Sequence, residues 1–412
     1  MTETAAAPES VVIVGAGQAG GETAAELRRQ GFTGRVTIVG EEPYVPYKRP
    51  PLSKTYLAGT ATTESLYVLS AASMEKANIG FIGGTRATAI DRGGRTLVLA
   101  DGRKLTYGKL VLATGGRPRM LTVPGADLPG IHVVRGIQDV DRIREQFASG
   151  KRLVIVGGGY IGLEVAAVAT KAGLTVTVLE SMPRVLQRVT APEMSAFYEK
   201  VHREAGVDVR TGVQIAGFEA QNGALHVKLV GADLEADLVI VGIGLIANTE
   251  LASEAGLAVD NGIIVDEFTR TSDPDIHAAG DCTNHPSEFL GRRVRLESVQ
   301  NAMEQGRAVA ANIMGKATQY ANVPWFWSDQ YDLKLQMVGM SAGFDQVVLR
   351  GDPARRSFAT FYLKDGVMLA CDTVSRPQEF MLAKKMVGMK ARVDASKLAD
   401  ESIPLKDQVP PG

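Results

Sequence analysis

Cysteine is scarce: Cys282 and Cys371 are the only two in 412 residues. That count excludes a disulfide framework, a CxxC redox pair and a four-cysteine metal site, and it points to a reducing, intracellular setting. Net charge is also lacking, because 45 Lys and Arg face 46 Asp and Glu; no global field directs the chain to nucleic acid. Long apolar runs are missing as well. The longest, around Leu238 to Ala247, spans about half of the roughly 20 residues a membrane helix requires. The leading MTETAAAPES has neither a basic residue nor an apolar core, so no signal peptide is expected. These absences predict a soluble cytoplasmic protein with no membrane or nucleic-acid partner. His132, His202, His226, His277 and His285 lack metal spacing, and no Ser-His-Asp or HExxH pattern occurs, so no metal is expected.

Glycine, by contrast, is abundant. The 45 glycines are roughly 11 % of the chain against about 7 % on average, while the 18 prolines are not raised. The excess is neither collagen-like nor low-complexity, so the fold needs many backbone positions without a Cβ. At about 100–200 residues per domain the length predicts two to four domains, which rules out a single small binding module.

An internal repeat accounts for part of the glycine. VVIV at 11–14 reads as a buried strand, GAGQAG follows at Gly15 to Gly20, then a helical GETAAELRRQG ending near Gly31, and a second strand VTIVGEE from Val36 to Glu42. The order recurs as LVIV at 153–156, GGGYIG from Gly157 to Gly162, the helical LEVAAVATKAG, and VTVLE from Val176 to Glu180. Strand, Gly-rich turn, helix, strand and acid form the dinucleotide-binding βαβ unit. The first glycine (Gly15, Gly157) allows the tight turn, the second (Gly17, Gly159) lets backbone approach a pyrophosphate, and the third (Gly20, Gly162) lets helix pack on strand. The helix N-terminus offers free N–H groups and about half a positive charge to the phosphates. Glu41 and Glu180 are the candidate ribose acids. Two such units imply two dinucleotides. LVLATGGRPRM, near 111–119, reads as a strand entering a Gly-rich turn, and DIHAAGDC as a strand ending at Gly280-Asp281.

Together these motifs resemble the two-dinucleotide-domain flavoprotein oxidoreductases, the glutathione-reductase-like group. The resemblance implies an α/β fold with two Rossmann-like dinucleotide-binding domains, the NAD domain inserted in the FAD domain, plus a C-terminal α+β domain. The expected boundaries are 1–115 with 245–322 for FAD, 116–244 for NAD and 323–412 for the last domain. FAD contacts would fall on Gly15, Gly17, Gly20, Glu41, Thr114, Gly115 and Asp281, and NADH contacts on Gly157, Gly159, Gly162 and Glu180. A carboxylate at Glu180 repels a 2′-phosphate and the next residues, Ser181, Met182 and Pro183, carry no cation, although Arg184 follows; NADH is expected over NADPH.

Within that group, disulfide reductases carry a redox cysteine pair in the region of YVPYKRPPLSKTYLAG, Tyr44 to Gly59; here it has none. The His-Pro-Glu segment expected near the C-terminus of those enzymes is absent too. Electrons must therefore leave for an external acceptor. YKRPPLSK, ATGGRPR, GGGYIGLE, GIGLIANTEL, AAGDC, ESVQNAMEQG and PWFWSDQYDLKLQMVG, spread over nearly the whole chain, resemble the NADH-dependent ferredoxin reductases of bacterial oxygenase systems, the putidaredoxin-reductase-like and biphenyl-dioxygenase-reductase-like flavoproteins. Ala247 stands where many relatives have Pro, with loop rigidity the expected consequence.

That resemblance implies that Arg49, Lys54 and Arg117 contact FAD and that Lys54 and Glu164 form a pair beside the flavin, the two candidate catalytic residues. It puts Tyr160 on the nicotinamide path, Trp327 near the flavin and Val299-Gln300 along the ring. Local alternatives stand beside these roles: Arg117 as a turn cap, Glu164 as a solvated first-turn acid, Tyr160 and Trp327 as ordinary packing. The implied partner is an acidic two-iron ferredoxin, docking on a basic face formed by Lys384, Lys385, Lys390 and Arg392 or by Arg292, Arg293 and Arg295, with the chain a monomer or weak dimer. A rubredoxin, a monodehydroascorbate radical, a quinone or a redox-dependent association of the apoptosis-inducing-factor kind are the other outlets. After about residue 322, LKLQMVGM, QVVLR, SFATFYL and GVMLACDT read as strands and QEFMLAKKMVGMKAR as a helix.

Overall fold

Short β-branched runs that alternate with glycine turns and helices specify parallel sheets, because each strand must return through a crossover helix before the next can pair in the same direction. The computed structural model, which describes residues 8–409, has that α/β architecture. The leading MTETAAA, part of the segment that lacks signal-peptide features, lies outside the described residues. The chain forms two units: residues up to Arg49, Thr63–Arg117 and Leu245–Asn322 make one, and Pro50–Thr62, Pro118–Gly244 and the chain from Val323 onward make the other.

In the first unit Ser10–Val14 is the central strand of a five-stranded parallel sheet. Arg35–Val39 and then Ile79–Ile82 lie on one side, Lys109–Leu112 and then Ile276–Ala278 on the other. Alternate residues go to opposite faces: Val11 and Ile13 join one core with Leu27, Val36 and Ile38, while Val12 and Val14 join a second with Leu110, Leu112 and Ile276. Both faces are covered, which is why the strands read as unbroken apolar runs. Each fully buried Ile or Leu contributes about 1.5–3 kcal/mol relative to exposure. The strand order reverses at Ser10–Val14, so the crevice beyond its C-terminal end is the switch point where such sheets bind ligands. The strand expected over Val36 to Glu42 stops at Val39, leaving Gly40, Glu41 and Glu42 in the turn beyond it.

The second unit repeats the plan with Asp208–Thr211, Thr175–Glu180, Arg152–Val156, Leu238–Val241 and Ile131–Val133 in that order, all parallel. A three-stranded meander, Ile215–Gln221, Ala224–Leu229 and Ala232–Ala236, contributes Phe218 and Val227 to the core with Val154, Val156 and Val239. The same unit holds a five-stranded antiparallel sheet, in the order Trp325–Gln330, Leu333–Gly339, Val367–Val374, Ser357–Lys364, Gln346–Asp352, followed by the helix Pro377–Gly388. Four of its strands match the expected segments, and Trp325–Gln330 adds a fifth. The helix is shorter than the expected QEFMLAKKMVGMKAR, which reads as helical through Arg392. Lys390 turns left-handed (φ 50°), and the Ala391 N–H bonds the Met386 carbonyl, closing the helix with a backbone cap.

The long apolar stretch proves to be two strands. Leu238–Val241 belongs to the second parallel sheet, and Leu245–Ala247 pairs with Gly116–Pro118. No helix among the described residues is long and apolar enough to cross a membrane.

Candidate dinucleotide sites and a buried ion pair

Both Gly-rich loops leave their strands in the same way. The Gly15 N–H bonds the Val39 carbonyl at 2.8 Å, and the Gly157 N–H bonds the Leu179 carbonyl at 2.8 Å. At Gly15 φ is +118° and a Cβ would lie 2.1 Å from the Ala113 carbonyl oxygen; at Gly157 φ is +110° and the distance to the Gly242 oxygen is 2.4 Å. At Gly20 and Gly162 a Cβ would sit 2.0 and 2.1 Å from the carbonyl oxygens of Gly15 and Gly157. The protein itself thus demands the first and third glycines. The second is different. Gly17 and Gly159 have ordinary extended backbone, φ −96° and −83°, and a Cβ on either meets nothing within 4 Å. Each is the N-cap of its helix without a side-chain cap, so the first-turn N–H groups have no side chain to satisfy them. Open space over bare helix N–H groups is what a pyrophosphate fits.

The acids are placed differently. Val14 is level with Val39 and Val156 with Leu179, so Glu180 is structurally equivalent to Gly40, and Glu41 comes one residue later, exposed. Glu180 Oε2 accepts from the Gly158 N–H and Oε1 from the Met182 N–H, both at 2.8 Å, which fixes the carboxylate over the second loop. Arg184 is engaged elsewhere: its Nη1 donates to the Thr190 carbonyl and Ser195 hydroxyl, and its Nη2 to the Gln187 carbonyl.

Around the first loop, Thr114-Gly115 is locked to Asn248. The Thr114 hydroxyl donates to the Asn248 carbonyl at 2.7 Å, the Asn248 amide donates back to the Thr114 carbonyl at 3.0 Å, and the Asn248 N–H reaches the Gly115 carbonyl at 3.0 Å. Arg117 is exposed and paired with Asn248 Oδ1 and with Glu250 at 2.8 Å, as a turn-holding residue would be. Asp281 follows a turn held by Gln305, whose Oε1 accepts from the Gly280 N–H at 2.7 Å and the Thr283 hydroxyl at 2.9 Å. Gly280 lies against Ala19 of the first-loop helix, a Cβ there being 3.1 Å from the Ala19 Cβ. Arg49 donates to Glu42 at 2.7 Å and to the Tyr47 hydroxyl at 2.9 Å. Burial opposes its charge, but Tyr47, Glu42 and Asp281 outweigh that and raise its pKa. Val299 and Gln300 begin the helix Val299–Ile313, capped by the Ser298 hydroxyl on the Asn301 N–H. Glu42, Tyr47, Asn248 and Gln305 had no role assigned from sequence, although all four lie within the segments singled out there.

In the second unit Lys54 and Glu164 meet. Lys54 Nζ is 2.6 Å from Glu164 Oε2, which also accepts from the Ser53 hydroxyl at 2.5 Å, while Oε1 accepts from the Ser328 hydroxyl at 2.7 Å. Glu164 is only 3 % exposed. It is not a solvated first-turn acid, and three donors supply what water would have given. Tyr160 donates to Met337 Sδ at 2.8 Å and its ring lies 5.0 Å from Phe326. Trp327 is flanked by Trp325 and Phe326 at 5.7 and 6.2 Å between centroids.

The remaining candidates divide. Cys282 and Cys371 are free and wholly buried, and burial pushes both thiols up. No group of three or more His, Cys, Asp or Glu among the described residues is arranged to hold a metal. Lys384 lies 5.2 Å over the Trp325 ring, and Lys385, Lys390 and Arg392 are exposed. Arg293 is spent on the Val265 and Asn284 carbonyls, and Arg295 reaches Glu297 at 2.7 Å.

Fold and loops together define a two-dinucleotide oxidoreductase. Residues 9–306 match the pyridine nucleotide-disulphide oxidoreductase family and 325–409 the reductase C-terminal family. Over 408 residues the chain is 50 % identical to putidaredoxin reductase of Pseudomonas putida, covering 97 % of each, and over 405 residues it is 44 % identical to a ferredoxin–NAD(P)(+) reductase of a Sphingomonas species, covering 97 % of this chain and 98 % of that one. The putidaredoxin reductase in a covalent complex with putidaredoxin superposes with a TM-score of 0.93 at 50 % identity, covering 97 % of both chains. The chain belongs to the pyridine nucleotide-disulphide oxidoreductase family, among its putidaredoxin-reductase-like ferredoxin reductases.

Proposed function

We propose that this protein is an FAD-dependent NADH:ferredoxin oxidoreductase, passing electrons from NADH one at a time to a two-iron ferredoxin that feeds a cytochrome monooxygenase or a Rieske oxygenase. The observation that carries the reading is the pair of second glycines, Gly17 and Gly159, left open in a chain whose two thiols are both buried. Two dinucleotides have a place, and a protein thiol has no part in the electron path.

FAD, when bound, takes a hydride as a two-electron unit and gives up electrons singly. The residues of the first unit that would hold it are the Gly15, Gly17 and Gly20 loop for the pyrophosphate, Glu41 for the ribose, Asp281 and Arg49 for the ribityl and phosphate region, and Thr114, Gly115, Val299 and Gln300 around the ring. Arg117, paired with Glu250, supports the turn that carries Thr114. Trp327 supplies an apolar aromatic wall. Lys54, oriented by Glu164, would set an ammonium beside the flavin and so favour its reduced form, and Tyr160 would guard the nicotinamide path. Gly157, Gly159 and Gly162 take the NADH pyrophosphate and Glu180 its ribose diol. With Glu180 fixed by two N–H donors and Arg184 committed to its own loop, a 2′-phosphate meets a carboxylate and no available guanidinium from Arg184. Steady-state kinetics check this: kcat/KM for NADH should exceed that for NADPH at least tenfold, and an NADPH preference would refute the assignment of Glu180.

The ferredoxin face is assigned to a basic cluster, either Lys384, Lys385, Lys390 and Arg392, with Trp325 beneath Lys384, or Arg292, Arg293 and Arg295. Electrostatic docking of an acidic partner weakens with salt. Ferredoxin reduction should slow steeply between low and moderate ionic strength, and a salt-independent rate would favour apolar docking.

A further inference from the structure

Behind Glu164 a single file of polar side chains runs through the second unit. The Ser328 hydroxyl donates to Glu164 Oε1 at 2.7 Å, the Gln330 amide donates to the Ser328 oxygen at 3.2 Å, Gln330 Oε1 is 2.9 Å from His202 Nε2, and the Tyr331 hydroxyl is 3.0 Å from His202 Nδ1. Ser328, Gln330 and His202 are at most 1 % exposed. Three elements contribute: the strand Trp325–Gln330, the helix Pro192–Glu204 and the turn residue Tyr331, which is left-handed at φ 58°.

Every bond in the file has a forced direction. The carboxylate only accepts, so Ser328 must donate its one proton to it and accept from Gln330. The Gln330 carbonyl only accepts, so His202 carries its proton on Nε2; Nδ1 is then an acceptor and Tyr331 must donate. Burial, which drives the His202 pKa down to about 4, keeps the ring neutral and the pattern intact. An amide in the middle carries no proton onward without surrendering its own bonds, so the file orients groups and does not conduct. A core built for stability alone would do as well with apolar side chains of the same volume. This one ends on the carboxylate that holds Lys54.

We infer that Ser328, Gln330, His202 and Tyr331 are positioning residues for the Lys54–Glu164 pair: they fix the Glu164 rotamer and its role as acceptor, and so fix where the Lys54 ammonium stands during flavin reduction. The inference rests on the assignment of Lys54 to the flavin. The test uses the FAD-loaded protein. Nitrogen-15 spectra of the His202 ring should show a neutral ring protonated on Nε2. In anaerobic stopped flow, Ser328→Ala should slow flavin reduction by NADH about tenfold, shift the flavin potential in the direction that Lys54→Met shifts it, and leave the NADH dissociation constant unchanged. Ser328→Thr, which keeps the hydroxyl, should restore the rate. Tyr331→Phe removes one oxygen at the half-buried end and should slow flavin reduction about two- to threefold and shift the potential in the same direction as Ser328→Ala; it carries the test should Ser328→Ala fail to fold. An Nδ1-protonated ring, or normal rate and potential in Ser328→Ala and Tyr331→Phe beside a slow Lys54→Met, overturns the positioning role alone. A normal rate in Lys54→Met removes Lys54 from the reaction and the positioning role with it.

Discussion

At Gly17 and Gly159 the protein has no internal need of glycine, which makes these residues the sharpest probes of cofactor binding. An alanine at 159 meets open space on an ordinary backbone, so Gly159→Ala should leave the melting temperature unchanged or slightly higher, while NADH affinity falls at least tenfold because the methyl occupies the phosphate's approach. Gly157→Ala, with φ +110° and a carbonyl 2.4 Å from its Cβ, should instead destabilise the fold by more than about 1 kcal/mol. Thermal melts and NADH titration of the two variants separate the roles. The glycine pattern was legible because its spacing is local. The partners of the key side chains were not: Ser53 and Ser328 reach Glu164 across 111 and 164 residues of chain, and no periodicity marks such a meeting. The offset of Glu41 from Glu180 was hidden as well, since both segments look like a strand ending in acid and only the register with the first strand tells them apart.

Among the elements, the strand–turn–helix–strand units could be read from sequence because hydrophobic period and turn residues agree within a few positions. The C-terminal region was harder. Its helix ends at Gly388 through a backbone cap that Lys390 completes without being glycine. What fastens the chain beyond that helix is Arg350, 3 % exposed, which donates to the carbonyls of Leu398, Asp400 and Ile403 and pairs with Glu379 at 3.1 Å. One guanidinium satisfies three carbonyls that would otherwise need other donors. Arg350→Met should destabilise the C-terminal segment by about 1–3 kcal/mol, since those carbonyls lose their donor while Glu379 keeps Arg376 at 3.0 Å. Limited proteolysis should then cut after residue 390 while the parallel sheets stay protected; unchanged resistance would show that the arginine is dispensable.

For the whole molecule, acid sensitivity follows from buried imidazoles. Burial lowers His202, His277 and His285 to about 4 from an ordinary 6.5, so between those values the unfolded chain binds more protons than the folded one, and stability falls as pH drops through that window. Asp372 acts the other way: burial raises its carboxyl to about 6, so the folded state gains a proton there. Three imidazoles outweigh one carboxyl. The melting temperature should therefore decline from pH 7 to pH 4, and a flat or rising profile would contradict the buried neutral rings. The two dinucleotide units were visible at this scale from the repeat itself, whereas the grouping of Pro50–Thr62 with the second unit was not, because so short a segment has no period to read. On the proposed route, electrons pass from NADH through a flavin to a ferredoxin with no protein thiol between. Cytochrome c reduction by NADH, followed as a two-iron ferredoxin is titrated into the Cys282→Ser, Cys371→Ser double variant loaded with FAD, tests it most directly. A rate that rises with ferredoxin and saturates at the level of the parent protein is expected; a rate that ignores ferredoxin, or that vanishes in a folded, FAD-loaded variant, would contradict it.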